Sequence, residues 1–322
     1  MAYSAGDTIL DDEYNAFVAN SSSPFGYNHF AGTGATVYGL GQTAIDTVSA
    51  GGVINASQWN ALFTGITNIA NHTNDTITSR SSVSAGDDID IASAVAADLA
   101  TLAASVAAGS PNATALATSS ALQTQTSGSE GWNATATQEV SVTFASANNM
   151  RFFFNAGGSI RITVGTTQAA VSNKDQSYID LGSAFGNIDI NSLTTTRSGS
   201  GETLTTNGLA NGFQDLTTSY TVLIKLTSDN SGYTGNHIVI SAKTGGGNGN
   251  SGNATSLTIK MVATDGANDT QFTSGNTDSV AVGAKDTPKM VTTLFANDPT
   301  TAQGLNPVYI RSATAAVSNS VS

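Results

Sequence analysis

Apolar positions in this chain recur at helical spacing before Pro111 and at strand spacing after Gln138, and the change of period divides it. In the first part, Trp59, Leu62, Phe63, Ile66, Ile69 and Ala70 fall at offsets of 3, 4, 7, 10 and 11, which is one face of a helix. Val95, Leu99, Leu102 and Val106 follow at spacings of 4, 3 and 4 on an Ala-rich stretch, the rhythm of a short coiled-coil seam. Both stripes must be buried, within one chain or against copies of it around an axis, and the pattern leaves both open. Asn55 and Gln58 have the spacing of an N-cap and its reciprocal partner, with Ser57 as the other candidate cap. After Gln138 the alternation of apolar and polar residues predicts strands over 138–145, 159–164, 177–181, 187–190, 203–206, 219–227, 237–243 and 256–263. Weaker candidates lie over 279–282, 290–294 and 307–312. Arg151 to Phe154 reads as a strand joined to Ser159–Val164 by Asn155-Ala156-Gly157-Gly158, a hairpin turn with residues suited to positive φ. Three Phe in a row, Phe152, Phe153 and Phe154, give that first strand apolar character on both faces, as at a layer boundary or a subunit contact.

A repeat organises the helical part. Ser4-Ala5-Gly6-Asp7-Thr8-Ile9 recurs as Ser49-Ala50-Gly51-Gly52-Val53-Ile54 and as Ser84-Ala85-Gly86-Asp87-Asp88-Ile89. In the first two copies an aromatic-Asn-Ala-apolar block follows at the same offset, Tyr14-Asn15-Ala16-Phe17 and Trp59-Asn60-Ala61-Leu62. The copies are unevenly spaced, so this is a duplicated turn-helix unit rather than a regular solenoid. Gly26 to Gly41 reads as ordered loop anchored by Tyr27, Phe30, Tyr38 and Leu40. It is not a phosphate cradle, because no Gly-Lys-Ser/Thr follows. The fold class expected is α+β: a small helical amino-terminal region (1–111), a connector (112–136) and an antiparallel β-sandwich, jelly-roll-like (137–322). Thr244 to Gly252 reads as a flexible projecting loop.

Composition narrows the function. Hydrophobic residues make up 39% of the 322, enough for a core, while charged residues are only 11% against about 25% in ordinary domains. Six Lys and five Arg are scattered through a chain of net charge −12, with no basic run to follow a nucleic-acid backbone. Without cysteine there is neither a disulfide framework nor a thiolate site. The opening MAYSAGDTILDDEYN lacks the basic and apolar regions of a secretory signal, and no apolar run reaches about 18 residues. The expectation is a chain made in a cytoplasm, with no membrane insertion. Asn-x-Ser/Thr triplets are expected by chance in this composition and carry no weight.

No constellation for catalysis emerges. The four Glu (Glu13, Glu130, Glu139, Glu202) are dispersed, and His29, His72 and His237 lack metal-ligand spacing. His237 opens a strand and reads as a cross-strand neighbour. Asp265 and Asp269 lack the ligand pattern of a calcium loop and read as turn residues, and Asp7, Asp11 and Asp12 suit a helix start. No Gly-x-Ser-x-Gly elbow is present. The expectation is a non-enzymatic protein with no cofactor and no metal.

Two stretches carry a resemblance. MAYSAGDTILDDEYNAFV with its second copy SAGGVINASQWNALFTGI, and RFFFNAGGSIRI, are similar to segments of tail and virion structural proteins of tailed bacteriophages, marine cyanophage-like ones especially. Together they cover about a third of the chain; the region after Gly165 departs most. The resemblance implies a non-enzymatic, homo-oligomeric component of the virion, in a tail fibre, baseplate or neck attachment, made in the host cytoplasm. Its partners would be itself, other virion proteins and, in an adhesive role, a host-surface glycan. The other readings are a carbohydrate-binding module, with Trp132, Tyr220, Tyr233 and Tyr309 as stacking residues, a capsid decoration protein, and a glycan hydrolase that lacks a site. On any assembly reading the contact residues expected are Trp59, Leu62, Phe63, Ile66, Val95, Leu99, Leu102, Val106, Phe152, Phe154 and Arg161. Arg151 and Arg161 have no third basic group nearby, so they read as hydrogen-bonding partners for backbone or a neighbouring subunit rather than as an anion site.

Overall fold

The computed structural model describes residues 11–22, 25–31, 43–73, 75–87, 92–107, 116–118, 121–126, 132, 134–155, 157–167, 173–249, 251, 253–266, 289–299 and 311–321. The chain is mixed α+β and divides into two compact units. One is formed by 1–117, 151–158 and 298–309, the other by 118–150, 159–297 and 310–322.

The first unit holds α1 (Asp11–Ala19), α2 (Tyr27–Ala31), α3 (Ala56–Thr73) and α4 (Ala92–Ala107). Asp11, Asp12 and Glu13 open α1, where carboxylates face the positive end of the helix dipole. Asn55 begins α3 as the spacing predicts: its N–H donates to Gln58 Oε1 at 2.8 Å. The expected ordered loop therefore contains a helix, α2. Tyr38 and Leu40 lie outside the described residues, as do the first copy of the repeat, Ser4 to Ile9, and the acid Asp7.

The second unit carries two six-stranded sheets. In one the order is β1 (Leu116–Thr118), β11 (Met290–Pro299), β4 (Ser159–Thr166), β5 (Asn187–Ile190), β6 (Thr195–Arg197), with β2 (Gln123–Thr126) also on β11. In the other it is β12 (Arg311–Val321), β3 (Thr135–Phe144), β10 (Ser256–Thr264), β9 (His237–Gly245), β8 (Thr221–Thr227), β7 (Thr203–Asn207). The paired registers are antiparallel. Inward positions of the second sheet alternate along each strand: Ala136, Val140 and Val142 on β3, Ile238, Ile240 and Ala242 on β9, Leu257, Ile259 and Met261 on β10, all buried. Between the sheets, fully buried Gln138 donates from Nε2 to Met290 O at 3.0 Å. It accepts from Thr292 Oγ1 at 2.7 Å, so this polar side chain in a sandwich interior is bonded at both ends of its amide.

Helices interrupt what reads as an all-strand region. Arg151 to Phe154 is not a strand and the hairpin does not exist: these residues end α5 (Ala147–Asn155). Ser146 Oγ accepts from Asn149 N–H at its start, and Gly157 at φ 84° follows its end, donating to Phe154 O. The glycine chemistry of a tight turn also terminates a helix, and the buried side chains Met150, Phe153 and Phe154 follow the helical 3-then-4 spacing rather than alternation. The strand predicted at 177–181 is likewise a helix, α6 (Asn173–Phe185), with Tyr178, Leu181 and Phe185 buried at the same rhythm. Two short strands, β1 and β2, form inside the stretch expected to connect the halves. Nor does the glycine-rich loop after β9 project freely. Thr244 Oγ1 donates to Gly247 O at 2.7 Å, and Gly249 N–H, itself buried, to Leu216 O at 2.9 Å. The candidate strand at 279–282 lies outside the described residues, and of 307–312 only the last two fall within them, where β12 begins.

Candidate assembly surfaces

The repeat resolves into one mechanical device used three times. Asn15, on α1, donates from Nδ2 to Val48 O at 2.7 Å and accepts from Val48 N–H at 2.8 Å through Oδ1. Asn60, on α3, does the same to Val83, at 3.0 and 2.9 Å. Asn28, on α2, does it to Ile45, at 2.8 Å for both bonds. The carboxamide presents a donor and an acceptor with the spacing of a backbone peptide. It therefore completes both hydrogen bonds of a residue in extended chain that belongs to no sheet. Val48 and Val83 immediately precede the second and third Ser-Ala-Gly motifs, so each helix grips the residue that opens the next unit. The motif itself is a turn. Gly52 N–H donates to Ser49 O and Asp87 N–H to Ser84 O, with Gly51 at φ 73° and Gly86 at φ 96°. The third grip was missed in the sequence, although Tyr27-Asn28-His29-Phe30 has the same aromatic-Asn-x-apolar order as the two recognised blocks.

The residue before each Asn is a core aromatic. Tyr14 and Trp59 meet edge to face, with centroids 5.3 Å apart and planes at 71°. Tyr27 is buried with its hydroxyl donating to Thr43 O at 2.9 Å. Burial pushes both tyrosines up to about 12, with the Asp46 charge adding to the effect at Tyr14. A raised folded-state value means the unfolded chain loses these protons first, so the contribution to stability is complete below pH 10 and disappears as pH rises towards 12. Absorbance titration with parallel helix content is expected to show Tyr14 and Tyr27 ionising together with loss of α-helix in that window. Ionisation of every described tyrosine near its ordinary value, with the helices intact, would contradict it.

The expected assembly residues of the helical part sit inside the chain. Trp59, Leu62, Phe63 and Ile66 of α3 and Val95, Leu99, Leu102 and Val106 of α4 are all at most 6% exposed, and they share one buried cluster with Tyr14, Val18, Tyr27 and Phe30. Packing within the monomer therefore takes the whole of both stripes, including the 4-3-4 seam. Phe154 is buried and sets its ring edge to face with Phe153; the side chain of Phe152 lies outside the described residues. Arg161 forms an ion pair within the chain. Its partner is Asp189, directly across on β5, through Nε to Oδ1 and Nη2 to Oδ2, both 2.8 Å. That hydrogen-bonded pairing raises the guanidinium above its ordinary value. Asn297 Nδ2, bonded to both Ser159 Oγ and Asp189 Oδ1, fixes the carboxylate from β11. Burial lowers Arg151 from its ordinary value.

Chemistry-bearing side chains are similarly committed. His29 stacks on Phe25 at 4.1 Å between centroids, and burial lowers its pKa. His237 Nδ1 lies 2.9 Å from Gly235 O, and its cross-strand partners are Thr227 and Thr264. Asp265, expected as a turn residue, forms an ion pair with Lys174 of α6; Asp269 lies outside the described residues. Glu202 accepts from Asp229 N–H at 2.7 Å, and burial raises its pKa. Among the described residues no group of three His, Asp or Glu could hold a metal ion, and no helix is long and apolar enough to cross a membrane. A surface groove of about 630 Å³ is lined by amides and hydroxyls such as Gln58, Asn60, Thr64 and Asn68, with Asp46 its one carboxylate. Of the candidate stacking aromatics, Trp132 and Tyr233 are buried and Tyr309 lies outside the described residues. Two lysine ammonium groups stand 4.4 and 4.0 Å from the centroid of the Tyr220 ring. Comparison with protein-family models, with curated proteins and with solved structures finds no match to this chain.

Proposed function

We propose that the chain is a non-enzymatic structural component of a bacteriophage virion. Its place is a tail appendage (fibre, baseplate or neck), where it associates with its own copies and with other virion proteins. The observation that carries this reading is the repeat that bears the resemblance: the Asn of its aromatic-Asn-Ala blocks, Asn15 and Asn60, are engaged in holding the chain's own backbone, as is Asn28 between them. A segment built this way supplies a rigid mount and no reacting group. The low charge content and the hydroxyl-rich outer positions of the sheets suit close packing of like subunits. Mass spectrometry of purified particles, with imaging of particles tagged at Ser322, tests it. Peptides of this chain at stoichiometric ratio to tail proteins, with tag density on the tail, are expected. Its absence from particles, or turnover of a polysaccharide abolished by changing one carboxylate, would overturn it.

A further inference from the structure

The outer face of the β7–β12 sheet gathers half of the chain's lysines. Three of the six lysines, Lys225 on β8, Lys243 on β9 and Lys260 on β10, occupy outward positions there, opposite the buried faces of their strands. The registers bring them together. Lys260 pairs across with Ser241 and Ser241 with Val222, Lys243 with Thr258, and Lys225 with Val239, which in turn pairs with Val262. Ser241 lies between Lys260 and Val222 in this grid, and Val222, 41% exposed, adds an apolar side chain at its β8 side. The Tyr220 ring lies within 4.4 Å of both the Lys243 and Lys260 ammonium groups, a cation–π arrangement that holds two like charges near each other. Glu139, across from Lys260, is the one acid of this register neighbourhood, and no carboxylate among the described residues makes an ion pair with any of the three lysines.

We infer that this face, with Lys225, Lys243, Lys260 and the exposed Val222, docks an acidic surface of a second copy of the chain. The inference rests on the self-association part of the function proposed above. Charge complementarity selects the occupant. Removing these three lysines from the count leaves 23 acidic groups against 8 basic ones (11 − 3), a balance of −15 over the rest of the chain. A two-fold axis through this face would set lysine on lysine and repel. The contact therefore sets this face of one copy against a different, acidic face of the next. Desolvating the three ammonium groups against carboxylates supplies specificity and steering, and the exposed valine supplies an apolar contact beside them.

The test is sedimentation velocity of the full chain over a range of concentration and salt, comparing wild type with Val222→Glu, with Lys225→Glu/Lys260→Glu, and with Lys225→Arg/Lys260→Arg. Wild type and the Arg variant are expected to associate, more weakly as salt screens the contact. The Glu variants are expected to lose at least about tenfold in association while keeping the wild-type circular dichroism and melting profile. Should the double Glu variant fail to fold, Val222→Glu alone decides, since that side chain stands in solvent. Folded Glu variants that associate like wild type would overturn the docking face and leave self-association through another surface standing. A wild type that remains monomeric throughout would overturn both. A monomeric wild type whose sedimentation shifts on adding an acidic polysaccharide would assign the face to a glycan and overturn the second-copy occupant.

Discussion

Replacing Lys174 with alanine is expected to destabilise the β-rich unit by about 3–5 kcal/mol, because it strands a carboxylate in the interior. The side chains of Lys174 and Asp265 are each 3% exposed and form an ion pair. Lys174 opens α6, and the pair fixes that helix to the chain just beyond β10. The same helix is also tied by bonds that do not involve Lys174: Tyr178 Oη donates to Thr264 O at 2.9 Å, Asn236 Nδ2 to Ser177 Oγ at 3.0 Å and Asn230 Nδ2 to Asp180 Oδ2 at 3.0 Å. These remain in the single variant, so the loss reports the unpaired Asp265. Lys174→Met combined with Asp265→Leu removes both charges and is expected to recover most of the stability, since the desolvation cost disappears with the pair. Urea unfolding followed by the fluorescence of Trp132, whose ring meets Tyr178 edge to face at 5.0 Å, checks both. A Lys174→Ala protein as stable as wild type would mean that water reaches Asp265.

Trp59→Ala is expected to cost the helical unit about 3–5 kcal/mol. Trp59 is 1% exposed and touches three other rings: Tyr14 at 5.3 Å, Phe63 at 5.6 Å and Phe17 at 6.3 Å between centroids. It joins α1 to α3 at the point where the two copies of the repeat meet, so the cavity opens in the middle of the cluster rather than at its rim. Trp59→Phe, which keeps a ring, is expected to lose roughly half as much. Thermal melts of the far-ultraviolet helix signal read the difference. A Trp59→Ala variant with the wild-type melting temperature would show that the cluster is not what holds these helices.

The helical half was legible because its signals are local. The stripes of α3 and α4, the Asn55–Gln58 cap and the turn glycines all lie within a few residues of what they act on. Most strands of the β half, β4, β5 and β7 to β10 among them, were equally readable from alternation. Where reading failed, the sequence carried two patterns at once. Phe152-Phe153-Phe154 before a Gly pair looks like a strand entering a turn, yet Met150, Phe153 and Phe154 already had the helical period; Tyr178, Leu181 and Phe185 had it in α6. β12 offered no alternation to read, since its pairing with β3 shifts register twice, at Ala313/Ala316 and Ala316/Ser318. The loop after β9 was misjudged because composition reports the lack of apolar anchors and says nothing of the backbone hydrogen bonds that hold Gly249. At the candidate surfaces, Arg161 was noticed and its partner was not, because Asp189 becomes a neighbour only through strand pairing. The Asn grips were invisible for the same reason. The repeated block announced that Asn15 and Asn60 do the same thing, but what they do is defined by Val48 and Val83, 33 and 23 residues away.

The repeat is therefore held to be a device by which each helix fastens the start of the following unit, and amide hydrogen exchange tests that most directly. In wild type the Ile45, Val48 and Val83 amides, all outside any sheet or helix, are expected to exchange slowly. Asn60→Ala is expected to release Val83 while Ile45 and Val48 stay protected, and Asn60→Asp, which keeps the acceptor oxygen, to preserve the protection at Val83. Fast exchange at Val83 in the wild-type protein, or protection there that survives Asn60→Ala, would contradict the grip.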